Sequence, residues 1–319
     1  MVVQLWKLEE VDINLVVSKG SIMLRKFALS MLKRSGLLSR PNPFFVSNLY
    51  SIGYLLKSRK KYDELRKDHV ACIMCTWDEK FMVPLAIKSS KNFVSRYIIV
   101  DKDGSTVPAI KKCNDRWGLD IEIYVKPNLD LRESRAFALS KIDEPWIMIQ
   151  DGDEVFHTDG PNSIFTLRKY MCRRNIILCA PLNILQGDFY HTSQGGTRMS
   201  PHPFVYHNNG TIRPPPPPKD QLVMDGWKIR LPYVYKFNCR VKSPKSLFLR
   251  IKTRNLRRNK EEFEGCENLE EYAIKKMGIT DLYEKSKQWY DAYLNNLRIY
   301  DEKKWGYYPK ILREYMSSH

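Results

Sequence analysis

Between residues 70 and 182, short apolar runs alternate with segments of helical composition, and no other feature of the chain restricts its fold as much. The runs are VACIMCT (70–76), YIIVD (97–101), IEIYV (121–125), WIMIQD (146–151) and IILCAPL (176–182). Their length and near-continuous hydrophobicity suit strands covered on both faces, as in a parallel sheet. Between them, EKFMVPLAIKSSKN, VPAIKKCNDRWG and LRESRAFALSKI read as crossover helices, the first with Pro84 early enough to be tolerated or to kink it. The expected fold class is α/β, a Rossmann-like, mostly parallel sheet flanked by helices. Ligands of such sheets gather beyond the carboxyl ends of the strands. The polar stretches at those ends, residues 76–79, 101–106 and 151–154, therefore come first as candidates.

The flanks divide the chain into an N-terminal basic, helical extension (1–68), a central domain (69–240) with halves 69–155 and 156–240, and a C-terminal helical extension rich in basic and aromatic residues (241–319). Residues 183–240 are rich in Gly, Pro, His and Asn and read as loop, with RPPPPPKD (213–220) a stiff polyproline segment. SLFLRIKTRNLRRNK (246–260) and the Tyr- and Trp-rich stretch 281–316 read as helices.

The formal net charge of +17 favours polyanions: phosphates, nucleic acids or an anionic membrane surface. Seven scattered cysteines argue against a disulfide framework and for a reducing, cytoplasmic setting. Cys72 and Cys75 have CxxC spacing but lie within an apolar run and have no second pair, so a buried strand is expected there rather than zinc or redox chemistry. No apolar run approaches the roughly 20 residues that span a bilayer, and the N-terminus lacks the layout of a signal peptide. The expectation is a soluble protein, or one peripheral to the inner face of a membrane through the basic and apolar stretches 15–40 and 246–260.

The segment WIMIQDGDEVF (146–156) ends a strand in Asp-Gly-Asp. Alternate side chains of a strand point the same way, so Asp151 and Asp153 can share a cation while Gly152 leaves room for a ligand. Hard ions such as Mg²⁺ or Mn²⁺ prefer these oxygens and complete their shells with water and phosphate. A solvated acidic turn is the other reading of the same residues.

Two upstream stretches, CTWDE (75–79) after the first strand and VDKDGST (100–106) after the second, stand at the same sheet edge as DGD. In order and spacing this triple resembles the family 2 glycosyltransferases of the GT-A fold, whose signatures read roughly TYNE, VDDGSTD and DAD. The resemblance covers about residues 69–155. It implies transfer of a sugar from a nucleotide-diphosphate donor of UDP or GDP type to a hydroxyl of a glycan, lipid-linked or protein acceptor, with Mn²⁺ or Mg²⁺ as cofactor. On it, Thr76, Trp77 and Glu79 border the nucleotide base, Trp77 offering a stacking face. Asp103 binds base or ribose, with Asp101 the alternative because Lys102 stands where the family often has Asp. Val107 replaces the family's final Asp. Arg135, in SRAF where the family has an ARN-like stretch, either reaches the diphosphate or lies on a solvated helix face. Asp151 and Asp153 hold the ion on the diphosphate.

An inverting transfer needs a base for the acceptor proton. Residues 155–240 contain no Glu, and their Asp residues are 159, 188, 220 and 225. KDQLVMDGWKIRLPYVYKFN (219–238) loosely resembles a subgroup in which HE-x-L precedes a strand ending in a metal-binding His. Asp220 stands at that Glu and is the first candidate base, followed by Asp225 and then Asp188; Asn238 stands at the His and is the candidate third ligand. His157, His191, His202 and His207 match no zinc spacing, and His191 or His207 is the substitute ligand if one exists. Two other classes use the same charge: a nucleic-acid-binding protein built on RIKTRNLRRNK (250–260) and the aromatics, and a peripheral membrane scaffold.

Overall fold

The computed structural model describes residues 69–318 apart from 172–174, 194–196, 217–218, 220, 232, 234, 253–264 and 267–268. The expected N-terminal extension, Asp220 and most of the 250–260 basic run lie outside the described residues. The chain divides into residues 68–167 with 173–319, which carry everything below, and residues 1–67 with 168–172.

Four parallel-type strands form where the apolar runs predict them: β1 (Val70–Thr76), β2 (Arg96–Asp101), β3 (Asp120–Val125) and β4 (Trp146–Ile149). β1 pairs in parallel with both β2 and β4, and β3 flanks β2. The remaining strands are β5 (Glu154–Phe156), β6 (Ile176–Gly187), β7 (His191–Thr192), β8 (Thr197–His207), β9 (Trp227–Arg230), β10 (Lys236–Val241) and β11 (Arg298–Ile299). The main sheet runs β3-β2-β1-β4-β8-β6-β10-β5, with β9 beside β6, and β7 and β11 pair apart from it. It is mixed α/β and mostly parallel, with antiparallel pairs at β4–β8, β8–β6 and β10–β5.

The crossovers are α1 (Val83–Ser90), α2 (Val107–Trp117) and α3 (Leu131–Leu139). Pro84 and Pro108 sit in the first turns of α1 and α2, where no intrahelical N–H is needed. Asp130 and Glu133 form a reciprocal capping box that starts α3, a device worth about 1 kcal/mol. One apolar cluster packs Ala138 and Ile142 against Ala71, Ile73, Ile98 and Ile147. Another packs Met82 and Leu85 with Val155, Phe237, Ile311 and Leu312 of the C-terminal third. That third holds α4 (Pro244–Lys252), α5 (Leu269–Lys275), α6 (Leu282–Asn295), α7 (Glu302–Trp305) and α8 (Lys310–Ser318). Among the described residues no helix is long and apolar enough to cross a membrane.

Two expectations need correction. The stretch 183–240 is not mainly loop: β6 runs on to Gly187, and β8, β9 and β10 all lie within it. β8 sits inside the sheet although it contains Pro201 and Pro203. Its ladder with β6 shifts register at Leu178/Cys179 and Ala180/Leu182, next to the partners of Pro203 and His202, so the missing proline N–H groups fall where the pairing is already irregular. The fourth strand ends at Ile149 rather than at Asp151. Residues 150–153 then carry the chain from β4 to β5, which is separated from β4 in the sheet by β8, β6 and β10. So short a link joins such distant strands only if the sheet curls. The curl brings the carboxyl end of β10 against the loop that follows β1.

Candidate functional site

The loops after β1, β2 and β4 meet at one edge. The strand ladders continue past their ends through Lys102 N–H to Thr76 O at 3.0 Å and Gln150 N–H to Ile73 O at 3.0 Å. Asp101, fully buried, accepts from the Thr76 hydroxyl at 2.8 Å and from Thr106 N–H at 3.2 Å. The Thr106 hydroxyl in turn accepts from Glu79 N–H at 3.3 Å. Asp101 and Thr76 are thereby committed to joining the two loops. Asp103 is exposed and uses one carboxylate oxygen to order its own turn through Ser105, at 3.0 Å from N and 2.6 Å from Oγ. Of these two aspartates, Asp103 is the one open to a ligand. Trp77 is half-buried, with Lys102 Nζ 5.3 Å from its ring centre.

Four carboxylates crowd the turn out of β4, and basic side chains interleave with them. Arg135 of α3 is buried, not on a solvated helix face, and its Nη2 lies 2.7 Å from Asp151 Oδ1. Burial pushes Asp151 upward, but the charge and hydrogen bond of Arg135, with Lys236 and His202 behind it, outweigh that and hold the carboxyl below its usual range. Glu154 is buried and takes both 2.7 Å bonds from Lys236 Nζ. Asp153 is also buried, and among the described residues no Lys or Arg nitrogen lies within 4.0 Å of it; burial, reinforced by Asp151, raises its carboxyl despite Arg250, Lys242 and Arg240 nearby. Glu79 is pushed up to about 8, chiefly by burial and further by Asp153 and Asp151, against the pull of Lys242 and Arg250.

Glu79 Oε2 is buried and has no hydrogen-bond partner. It faces Gly152: a Cβ there would lie 2.3 Å from Oε2 and 2.7 Å from Thr76 Cγ2, so the close approach depends on glycine. This orphaned oxygen and the two aspartates make a set of hard oxygen donors. Among the described residues no group of three or more His, Cys, Asp or Glu is arranged to hold an ion unaided. Mg²⁺ and Mn²⁺ take oxygen donors of this kind and complete their shells with water and phosphate, so Asp151, Asp153 and Glu79 are the residues that could hold such an ion with a bound diphosphate.

Asn238, the candidate third ligand, turns its amide nitrogen to Asp153 Oδ1 at 3.0 Å while its oxygen accepts from Arg240 Nε at 3.0 Å. This network assigns the amide orientation and aims the oxygen away from Asp153. Of the histidines, it is His202 that lies within electrostatic reach of Asp151. His191 is held by Asp188, with Nδ1 2.8 Å from both carboxylate oxygens. His207 packs edge-to-face on Trp146 at the amino end of β4, and His157 is buried against Phe237. Asp188 follows Gly187, which pairs with Val241 beside Lys242, so it shares the carboxyl edge. Asp225 does not. It precedes β9, whose Trp227 pairs with Ile176 at the start of β6, and it forms an exposed pair with Arg213 at 3.2 Å. As a candidate base it is corrected on that ground: it stands at the opposite edge from Asp151 and Asp153.

Lys242, Arg250 and Lys236 escaped the sequence reading. The signal that could have found Lys242 is its place directly after a strand's carboxyl end, had β10 been recognised. The CxxC pair behaves as a buried strand: Cys72 Sγ faces Gln150 Oε1 at 3.8 Å, and burial pushes the Cys75 thiol up to about 12.

No family model and no curated protein matches the chain. Among solved structures, it is similar to S. aureus TarS 1–349 in complex with UDP-GlcNAc, with a TM-score of 0.39 and 13% identity over 70% of this chain and 79% of that one. Against the longer S. aureus TarS structure the TM-score is 0.37 at 12% identity, over 64% of this chain, and the match spans 41% of that chain. A third is glucosyl-3-phosphoglycerate synthase from Mycobacterium tuberculosis in complex with Mn²⁺ and UDP-glucose, with a TM-score of 0.27 and 14% identity over 40% of this chain and 48% of that one.

Proposed function

We propose that this chain is a metal-dependent glycosyltransferase that moves a sugar from a nucleotide-diphosphate donor to an acceptor hydroxyl with inversion. The observation that carries the reading is the convergence of three separate segments at one sheet edge, where Glu79 Oε2, buried and unpartnered, faces Gly152 between Asp151 and Asp153. An orphaned carboxylate oxygen in a buried site costs about 1–3 kcal/mol or more, a cost that a ligand or ion relieves.

In this reading Trp77 and Asp103 receive the nucleoside, and Asp151, Asp153 and Glu79 hold the divalent ion on the diphosphate. Bound there, a divalent ion would supply positive charge against the departing nucleotide diphosphate. Arg135 fixes Asp151 in its ionised form. A base takes the acceptor proton as the new glycosidic bond forms; Asp220 is the first candidate and Asp188, held at this edge beside His191, the second.

The test is metal-dependent hydrolysis of a panel of UDP-, GDP-, CDP-, ADP- and dTDP-sugars. Release of one nucleoside diphosphate with Mn²⁺ or Mg²⁺, and loss of that release with chelator, is expected. No release from any donor at any metal concentration overturns the reading. For the base, Asp220→Asn should keep donor binding and cut transfer by roughly 10² or more.

A further inference from the structure

The loop Trp77–Asp78–Glu79 is held by groups more than 160 positions away in sequence. Asp78 has φ of +51°, a left-handed conformation that a non-glycine residue adopts at a cost. Lys242, one residue past β10, reaches across the curl of the sheet. Its Nζ lies 2.7 Å from Trp77 O, 3.1 Å from Asp78 O and 3.3 Å from Glu79 Oε1, enough acceptors for all three ammonium hydrogens. The Lys242 side chain is only 3% exposed. From α4, Ser246 Oγ donates to Asp78 Oδ2 and Arg250 Nη1 stands 3.7 Å from Glu79 Oε1.

We infer that Lys242 is a positioning residue that clamps the 77–79 loop in the shape that receives the nucleotide. The inference rests on the functional reading above for what the loop binds, but the clamp itself stands on the contacts. One carboxylate oxygen of Glu79 is tied to Lys242, and this leaves the other, Oε2, aimed at Gly152. The carbonyls of Trp77 and Asp78 are turned to the ammonium, which fixes the backbone that carries the Trp77 side chain. Ser246 and Arg250 place α4 in the same clamp, so the C-terminal third is coupled to the nucleotide loop through side chains rather than through the sheet.

A buried ion pair that served stability alone would, on removal, lower the melting temperature and leave nucleotide affinity untouched in whatever protein still folds. The experiment separates the two roles with Lys242→Met and Lys242→Arg, each measured by calorimetry with UDP, GDP, CDP, ADP and dTDP plus Mn²⁺ and by amide hydrogen exchange without nucleotide. Lys242→Met should weaken binding at least tenfold and speed exchange of the Glu79 amide, which donates to the Thr106 hydroxyl, at least tenfold, while the β1 amides 71–75 keep their protection. Lys242→Arg should recover part of both. A folded Lys242→Met with wild-type affinity and wild-type loop protection overturns the clamp.

Should Lys242→Met not fold, Lys242→Gln replaces it, since the shorter neutral amide carries two hydrogens rather than three and cannot serve all three acceptors. Weaker nucleotide binding with an unfrayed β1 is then expected, and unchanged affinity overturns the proposal. If the wild-type protein binds none of the five nucleotides, the functional reading fails, and the exchange data alone decide the clamp: faster loop exchange upholds it and unchanged exchange overturns it.

Discussion

Two Asp–Arg pairs stand at opposite edges of the same sheet. Arg135 and Asp151 meet at 2.7 Å at the carboxyl edge, with side chains 3% and 28% exposed. Arg213 and Asp225 meet at 3.2 Å at the amino edge, 57% and 70% exposed. The chemistry is the same and the solvent is not. In water an exposed pair is screened and contributes about 0–1 kcal/mol. At the carboxyl edge low polarity strengthens every charge, and removing one partner strands the other. Position along the strands therefore separates a solvated surface pair from a desolvated one.

The widest contrast lies in nucleotide chemistry. Asp153→Ala should reduce metal-dependent donor turnover by 10² or more with little loss of fold stability, since the residue lies at a strand end; Asp225→Ala should leave turnover within twofold. Parallel donor-hydrolysis assays check both, and equal loss in the two variants would erase the distinction between the edges.

Stability should divide the same way. Arg135→Met removes the partner of a largely desolvated carboxylate and should cost about 3 kcal/mol, while Arg213→Met should cost no more than about 0.5 kcal/mol. Denaturant melts of the two variants measure the difference.

Within the carboxyl edge, the methyl added by Gly152→Ala would crowd Glu79 Oε2 and Thr76 Cγ2. Affinity for nucleotide with Mn²⁺ should drop about tenfold by calorimetry, about 1.4 kcal/mol. A wild-type value would mean that the Glu79 carboxylate swings away without consequence.

The smallest functional effect belongs to His157, whose imidazole is pushed down to about 4, chiefly by burial. Below the ordinary value of about 6.5 the unfolded chain binds a proton that the folded chain refuses. The stabilisation from the neutral imidazole is thus complete above pH 6.5 and is lost as pH falls toward 4, by about 3 kcal/mol if the shift is fully expressed. His157→Phe should flatten this limb of the stability–pH curve and leave donor turnover unchanged.

The parts legible in sequence were those whose cause is local. β1 to β4 are buried on both faces, so they appear as apolar runs, and the motifs that follow β1, β2 and β4 stand out against them. β8 was hidden by Pro201 and Pro203, which occupy irregular positions of the ladder. β10 was hidden by its polar residues: Lys236 and Asn238 point at Glu154 and Asp153, and at these places they break the apolar pattern. Lys242 and Arg250 reach Glu79 only because the sheet curls, and no local pattern encodes a curl. Asn238 shows the reverse limit. Its candidacy came from the resemblance of 219–238, but which end of its amide faces Asp153 depends on Arg240.

On the proposed function, the carboxyl edge is a shared site for a divalent ion and a nucleoside diphosphate. Thermal unfolding with UDP or GDP, Mn²⁺, both or neither tests it most directly, because a ligand that binds only the folded state at 100 times its Kd adds about 2.7 kcal/mol. A rise in Tm with nucleotide and Mn²⁺ together that exceeds the sum of the separate rises and vanishes in Asp153→Ala is expected. No rise with any combination, or an equal rise in Asp153→Ala, would contradict it.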